Sequence, residues 1–204
     1  MSETPPLVHV IDDDDAVRDS LSFLLRASDF NVVTYQSATH FLESLTRGID
    51  GCVITDVRMP DISGLELLKR MRALSCLIPV IVMTGHGDIQ LAVEAMKAGA
   101  ADFLEKPFDD ERILAAVRSA LAAKRAESER AAMRNEIEER LESLSQRERQ
   151  VLDGLVAGAP NKTIAHDLGI SPRTVEVYRA NVMTKMQARS LSELVRMTLL
   201  AQTP

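Results

Sequence analysis

The sequence predicts an α/β domain, built on a doubly wound five-stranded parallel sheet, followed by a helical linker and a small all-α domain. In the first part of the chain, short apolar or β-branched runs alternate with stretches of helical periodicity. This alternation indicates a parallel sheet with helices on both faces and right-handed connections. Proline and glycine are then absent between Leu121 and Gly154, which favours helix, and a short helix, a turn and a longer helix follow.

Five runs are the predicted strands, and each precedes a predicted helix. The strands are Leu7–Ile11, Val32–Tyr35, Cys52–Thr55, Pro79–Met83 and Asp102–Glu105. The helices lie around Val17–Leu25, Ala38–Leu45, Gly64–Leu74, Ile89–Met96 and Ile113–Leu121, and Gly99 closes the fourth.

Length and composition fit two ordinary globular domains. The chain has 204 residues, of which 46% are hydrophobic and 3% aromatic, so we expect aliphatic cores. The segment Met1–Pro6 is short and polar, and no apolar run approaches the ~20 residues that span a bilayer. We therefore expect a cytoplasmic protein without a signal peptide. Cys52 and Cys76 have no metal-binding spacing, and Cys52 lies in a strand-like run where a buried, inert thiol is expected.

Charge is unevenly distributed along the chain. The net charges of residues 1–125, 126–143 and 144–204 are −6, −3 and +3. A basic C-terminal segment on an acidic chain points to a polyanionic partner for that segment.

Polar side chains follow four of the predicted strands. Asp56 ends the third strand, the acidic run Asp12–Asp15 ends the first, and Thr84 and Lys106 follow the fourth and fifth. Because the carboxyl ends of parallel strands share one edge, we expect these groups to meet there. Repulsion within the acidic run calls for a cation, of which Mg²⁺ is the simplest. A carboxylate beside a divalent ion and an ammonium is a serviceable nucleophile toward phosphorus.

Residues 5–125 resemble the receiver domain of two-component response regulators. The resemblance rests on the acidic pair, the D-x-R-M-P-D-x-[ST]-G box at Asp56, the T-G-H-G segment at Thr84 and the E-K-P-F box at Lys106. It implies a flavodoxin-like sheet of order 2-1-3-4-5. It also implies that Asp56 accepts a phosphoryl group from a sensor histidine kinase, and that the protein is not a turnover enzyme on external substrates.

The same resemblance implies roles for the neighbouring groups. Mg²⁺ or Mn²⁺ would be held by the side chains of Asp12, Asp13 and Asp56 and by the Arg58 carbonyl. Thr84 and Lys106 would bind the phosphoryl oxygens, and Phe103 would fill the space that Thr84 leaves as it moves inward.

Two other kinds of site fit this edge less well. A Mg²⁺-dependent phosphatase that forms an aspartyl phosphate characteristically has a second acid two residues after the nucleophile, but in this chain that position is Arg58. The chain also has no room for the cap domain of such enzymes. A calcium loop at Asp12–Asp15 lacks the glycine and glutamate at EF-hand spacing.

The predicted linker, residues 126–143, is rich in alanine, glutamate and arginine. Its apolar residues Met133, Ile137 and Leu141 form a narrow stripe together with Leu144, which follows the linker. Two interpretations stay open: a helical spacer with a solvated surface, or a stripe that pairs with a second copy or docks on a neighbouring domain.

Residues 144–204 carry the pattern of a helix-turn-helix domain. Ser145 and Glu148 form a capping-box pattern, a second helix over Asn161–Leu168 ends at Gly169, and a third starts at Ser171-Pro172. On the third helix, helical angles predict that Val175, Tyr178, Val182 and Met186 are buried. The opposite face then turns toward a DNA groove and consists of Arg173, Glu176, Val177, Ala180, Asn181 and Thr184.

The outward face suits base edges in DNA. Glu176 would accept from a cytosine amine, Asn181 would pair with adenine, and Val177 would touch a thymine methyl. Phosphate contacts are expected from Lys162, Thr163, Arg179 and Lys185.

Residues 140–202 resemble the LuxR-type DNA-binding domain. The matching groups include Leu144-Ser145-x-Arg147-Glu148, Asn161-Lys162-x-Ile164-Ala165 and Thr174-Val175-x-x-Tyr178-Arg179-x-Asn181, with Tyr178 where the family more often has histidine. A receiver (1–125), a linker (126–143) and this domain (144–204) together resemble the NarL/FixJ family of transcription regulators. The DNA-contact set that this implies includes Arg173, Thr174 and Ala180.

The resemblance implies a mechanism and partners. Phosphorylation would release the tail from an inactive arrangement, and two receivers would pair through the fourth helix and fifth strand, with Val93 and Lys97 at the interface. The homodimer would bind double-stranded promoter DNA and act on RNA polymerase. The residues of the receiver boxes are similar to those in the nitrogen-fixation branch of the family. This similarity implies that the kinase is an oxygen-sensing haem protein and that the targets are nitrogen-fixation or microaerobic genes. The alternative is a signalling adaptor whose tail binds protein rather than DNA.

Overall fold

The computed structural model describes residues 5–45, 49–85 and 89–202. It separates into two compact units, Met1–Ala126 and Glu127–Pro204. None of the helices in these ranges is long and apolar enough to cross a membrane.

The first unit is built around a five-stranded parallel sheet. Its strands are β1 (Leu7–Ile11), β2 (Asn31–Tyr35), β3 (Cys52–Asp56), β4 (Val80–Gly85) and β5 (Asp102–Lys106). The strand order is β2-β1-β3-β4-β5 with every neighbouring pair parallel, which confirms the predicted fold and order. The helices are α1 (Asp15–Ala27), α2 (Ala38–Ser44), α3 (Gly64–Ala73), α4 (Ile89–Lys97) and α5 (Asp110–Glu142).

Alternate residues of the central strands serve two separate cores. Ile54 of β3 belongs to the cluster that includes Leu25 of α1 and Val117 of α5. Val53 belongs to the cluster that includes Phe41 of α2 and Leu68 of α3. The period of two along a strand therefore places helices on both faces, as expected for a sheet whose strands are buried on both sides.

The predicted fifth helix and the predicted linker form one helix, α5. Within the second unit, its Ile137 and Leu141 are buried in the core, whereas Met133 is exposed. The linker is therefore not a spacer with a fully solvated surface. Ile137 and Leu141 dock on the tail domain, whose apolar side chains cover them.

The second unit contains the last turns of α5 and four further helices. These are α6 (Gln146–Val156), α7 (Asn161–Leu168), α8 (Pro172–Lys185) and α9 (Leu191–Gln202). The Ser145 and Glu148 capping box is present as predicted, and Gly169 ends α7 in the left-handed conformation.

Helix α9 was not predicted from the sequence. Ser190 Oγ accepts from the Glu193 amide at 3.2 Å, the Glu193 carboxylate accepts from the Arg189 amide at 2.7 Å, and Leu194 is fully buried. The Ser-x-x-Glu signal for this helix start is therefore present in the sequence and was overlooked.

Candidate functional site

Three predicted site residues meet at the carboxyl edge of the sheet. Lys106 Nζ donates to Asp56 Oδ1 at 2.6 Å and to Asp12 Oδ2 at 2.9 Å, so one ammonium bridges the ends of β1, β3 and β5. Strand order explains this convergence, because β1 lies next to β3 and only β4 separates β3 from β5. The carboxylates of Asp12 and Asp56 are both largely buried.

Asp56 is held by its own loop as well as by Lys106. Its Oδ2 accepts from the Arg58 backbone amide at 2.6 Å. The first residue of α3, Gly64, packs so closely that a Cβ there would lie 2.2 Å from the Asp56 carbonyl oxygen. The missing side chain of Gly64 thus lets the loop between Asp56 and α3 close tightly.

Asp12 is oriented by contacts that sequence reasoning missed. Its Oδ1 accepts from the Asp14 amide at 3.0 Å, and the guanidinium of Arg18 donates to the Asp12 carbonyl at 2.6 Å. Arg18 also forms an ion pair with Asp15, three residues earlier on α1. This i, i+3 spacing of opposite charges is the sequence pattern from which the orientation of Arg18 could have been predicted.

The two carboxylates keep Lys106 charged. Burial alone would lower the pKa of Lys106, but the hydrogen bonds and charges of Asp56 and Asp12 outweigh it, so the pKa is raised above its ordinary value. The ammonium therefore remains available to bind an oxyanion at Asp56.

The predicted metal ligands offer only oxygen donors. Asp13 is exposed beside Asp12, and both follow β1 directly. Among the described residues there is no group of three acidic, histidine or cysteine side chains close enough to enclose a metal. Oxygen donors are the ligands that Mg²⁺ prefers, so the chemistry of the predicted ligands fits this ion.

Thr84 is the penultimate residue of β4, and its hydroxyl is buried. The side chain is 1% exposed, and its Oγ1 makes no hydrogen bond within the part of the chain that is described. Phe103, on the paired strand β5, is half-buried against the second core cluster. A buried hydroxyl with an unused donor is unusual and is a functional signal. His86 and Gly87 of the T-G-H-G segment lie outside the described residues.

Helix α4 shows an apolar surface. Val93 is 46% exposed, Ile89 and Met96 are still more exposed, and Lys97 is exposed at the helix end. Only Ala95 of this helix is fully buried. The two predicted interface residues are thus accessible on one element.

Helix α8 of the second unit has the two faces that its periodicity predicts. Val175, Val182 and Met186 are buried, and Tyr178 packs against the same core. The outward residues Arg173, Glu176, Val177, Ala180, Asn181 and Thr184 are all exposed.

The predicted contacts around this face differ in their surroundings. Lys162 and Thr163 are exposed at the start of α7, and Arg179 is half-exposed. Thr174 bonds to the N-cap residue Ser171 through its hydroxyl at 2.8 Å. Lys185 is already engaged inside the domain, because its Nζ donates to Glu148 Oε2 at 2.7 Å and to the Ser143 carbonyl at 3.1 Å.

Comparisons with known proteins agree with both units. Residues 8–118 match the family "Response regulator receiver domain", and residues 142–198 match "Bacterial regulatory proteins, luxR family". A curated relative, "Transcriptional regulatory protein FixJ" of Azorhizobium caulinodans, is 63% identical over 98% of this chain and 95% of its own. The crystal structure of full-length FixJ from B. japonicum is 54% identical, covers 98% of both chains and has a TM-score of 0.63. A solved structure of the response regulator StyR is 42% identical, covers 96% of this chain and 98% of its own, and has a TM-score of 0.82.

Members of the matched families are transcription regulators rather than turnover enzymes, and their receivers work with histidine kinases. The bridged carboxylates at the sheet edge and the exposed face of α8 agree with this activity. The chain therefore belongs to the NarL/FixJ family of response regulators, in which a receiver domain is joined to a LuxR-type DNA-binding domain.

Proposed function

We propose that this chain activates transcription when Asp56 accepts a phosphoryl group from a sensor histidine kinase. The observation that carries the proposal is the Lys106 ammonium, 2.6 Å from Asp56 Oδ1 at the carboxyl edge of a receiver-type sheet. In the transfer, the bond between phosphorus and the kinase histidine nitrogen breaks, and a bond from phosphorus to an Asp56 oxygen forms.

The residues around Asp56 each have a part in this step. Lys106 neutralises charge on the transferred group, and the Arg58 amide orients the attacking carboxylate. Asp12, Asp13, Asp56 and the Arg58 carbonyl would hold Mg²⁺, which would supply the remaining neutralisation of the phosphoryl oxygens. The Thr84 hydroxyl then bonds to the phosphoryl group, and Phe103 moves with it.

The exposed face of α8 reads promoter DNA in this proposal. Glu176, Val177 and Asn181 contact base edges, and Ala180 allows close approach to the groove. The residues that hold the phosphates are Lys162, Thr163, Arg173, Thr174 and Arg179.

Phosphorylated chains pair through α4 and β5, with Val93 and Lys97 at the interface. Pairing raises the effective concentration of the second DNA-binding domain at an adjacent half-site. The similarity to proteins named FixJ supports nitrogen-fixation or microaerobic genes as targets, an oxygen-sensing haem kinase as the phosphodonor and RNA polymerase as a further partner.

Intact-mass spectrometry after incubation with Mg²⁺ and acetyl phosphate tests the phosphoacceptor. We expect one labile phosphoryl adduct on the wild type and none on Asp56→Asn. Incubation with a cognate kinase serves as a second phosphodonor. An adduct that persists in Asp56→Asn would place the acceptor elsewhere, and phosphorylated protein that bound promoter DNA no tighter than unphosphorylated protein would contradict the switch.

A further inference from the structure

We propose that Arg140 and Lys185 clamp the C-terminal end of helix α8 and thereby set its orientation for DNA reading. The inference rests on the DNA-binding function proposed above and replaces the phosphate-contact role that the sequence predicts for Lys185. It concerns contacts within the second unit only.

Lys185 has two partners inside the domain. Its Nζ bonds to Glu148 Oε2 and to the Ser143 carbonyl, which uses two of the three donors of the ammonium. Glu148 is 4% exposed, and the same Oε2 accepts from the Ser145 amide at 2.8 Å. Removing the cation would leave a buried carboxylate without its charge partner, so Lys185 is committed to the protein.

Arg140, near the end of α5, holds the next two residues of the α8 terminus. Its Nη1 donates to the Met186 carbonyl at 3.2 Å, and its Nη2 donates to Gln187 Oε1 at 3.1 Å. Met186 is the C-cap of α8, where the last carbonyls of a helix have no partner within the helix. A cation at this end is favourable for the helix dipole as well.

Both contacts act on the C-terminal end of the helix that carries the proposed base contacts. Three consecutive residues, Lys185, Met186 and Gln187, are thus tied to α5 and α6, while the proposed base contacts lie on the preceding turns. Because hydrogen bonds to base edges require a defined geometry, a small rotation of α8 would disrupt them. Phosphate contacts carry no direct sequence information, so a change in them alters the affinity for all duplexes rather than the selectivity. The clamp should therefore matter more for selectivity than for overall affinity.

The test compares full-length Lys185→Gln and Arg140→Gln with Lys162→Gln, because Lys162 is exposed and its side chain has no hydrogen-bond or ion-pair partner among the described residues. The probes are a duplex selected from a random-sequence library with phosphorylated wild-type protein and a scrambled duplex of the same composition. Affinity for both is measured by fluorescence anisotropy over a range of salt concentrations. We expect the two clamp variants to lose about tenfold in selectivity, corresponding to one weakened base contact, with an unchanged salt dependence.

Lys162→Gln should behave differently, weakening both duplexes equally and reducing the salt slope by about one. The proposal is wrong if Lys185→Gln follows that pattern, because Lys185 would then contact phosphate. Lys185→Arg should restore part of the selectivity, since it keeps the charge beside Glu148.

Hydrogen exchange of free protein separates this inference from the proposed function. The amides of Met186, Gln187 and Ala188 bond back to Val182, Thr184 and Met183 and report on the end of α8. Faster exchange there in both clamp variants, and not in Lys162→Gln, would support the clamp even if the wild type bound neither duplex. Unchanged exchange in both would overturn it.

Discussion

At the scale of single residues, the receiver site depends on how buried polar groups are partnered. The Asp56 and Asp12 carboxylates share the Lys106 ammonium, which offsets one of their two negative charges. The Thr84 hydroxyl, by contrast, has no hydrogen-bond partner among the described residues.

Replacing Thr84 with valine should stabilise the unphosphorylated protein. Valine keeps the shape of the side chain and removes a buried hydroxyl that bonds to none of the described residues, so the free energy of unfolding should rise by about 1 kcal/mol. Urea denaturation followed by circular dichroism measures this change.

Thr55→Val is the matched control for this substitution. Thr55 is also buried, but its hydroxyl donates to the Asp56 carbonyl at 3.1 Å, so the free energy of unfolding should fall by about 1 kcal/mol. Equal destabilisation by the two variants would mean that the Thr84 hydroxyl has a partner after all.

At the scale of secondary-structure elements, two helix starts position the functional groups. Helix α3 begins at Gly64, directly against the Asp56 strand, and helix α6 begins with the capping box of Ser145 and Glu148. The first shapes the loop around the phosphoacceptor. The second supplies the carboxylate that holds Lys185 at the end of α8.

Gly64→Ala should impair phosphorylation of Asp56. A Cβ 2.2 Å from the Asp56 carbonyl oxygen forces the strand end and α3 apart, and misplacement of reacting groups by about 1 Å can cost ~10²-fold in rate. The rate of adduct formation with acetyl phosphate measures the effect. Gly85→Ala is the control, because a Cβ there meets no heavy atom within 4 Å in the described structure and should change the rate far less.

Glu148→Gln should alter the acid stability of the tail domain. The hydrogen bonds from Lys185 and the Ser145 amide lower the pKa of Glu148 from 4.5 to about 2. A lowered pKa in the folded state means that this stabilisation is complete above about pH 4.5 and is lost as the pH falls toward 2. The free energy of unfolding of Glu148→Gln should therefore be lower than that of the wild type at neutral pH. It should also fall less than that of the wild type between about pH 4.5 and 2.

Tyrosine fluorescence in a Tyr35→Phe background can follow this transition, because the chain has two tyrosines and no tryptophan. Tyr178 then reports on the tail domain alone. Asp167→Asn, at an exposed carboxylate, should leave the acid limb unchanged. If the free energy of unfolding of Glu148→Gln decreased at acid pH in the same way as that of the wild type, this result would contradict the assigned role of the ion pair.

At the scale of the whole molecule, charge and exposed apolar surface are separated along the chain. The receiver region is acidic and the tail is basic, which suits a tail that binds a polyanion. In the receiver unit, the exposed apolar side chains of α4 form a patch, and isolated Phe23 on α1 is 79% exposed. Scattered apolar residues are ordinary, whereas a contiguous group on one helix indicates an interface.

Val93→Glu should prevent pairing of the phosphorylated protein. A carboxylate in the centre of the α4 surface would have to be desolvated on association, so the dimer should weaken by about tenfold or more. Sedimentation of the acetyl phosphate-treated protein measures the dimer, and the mass of the adduct should be unchanged. Phe23→Glu introduces the same charge at an exposed position on another helix and should leave pairing intact. Pairing lost only in Phe23→Glu would move the interface to α1.

Local sequence patterns determined most of the secondary structure and one face of each functional element. Periodicity and capping chemistry, which act over a few residues, explain the Ser145 capping box and the buried face of α8. They also place Asp12, Asp56, Thr84 and Lys106 within one residue of a strand end. The order of the strands came from resemblance to a known family rather than from these patterns.

Only the tertiary structure decided which apolar faces are buried and which charged groups form ion pairs. The apolar stripe that indicated α4 faces solvent, whereas Ile137 and Leu141 of the predicted linker pack into the tail. Lys185 looked like a free cation on the DNA-binding side but pairs with Glu148, 37 residues earlier in the chain. The physical reason is that periodicity tells which side chains share a face, while burial and ion pairing depend on what the folded chain brings against that face.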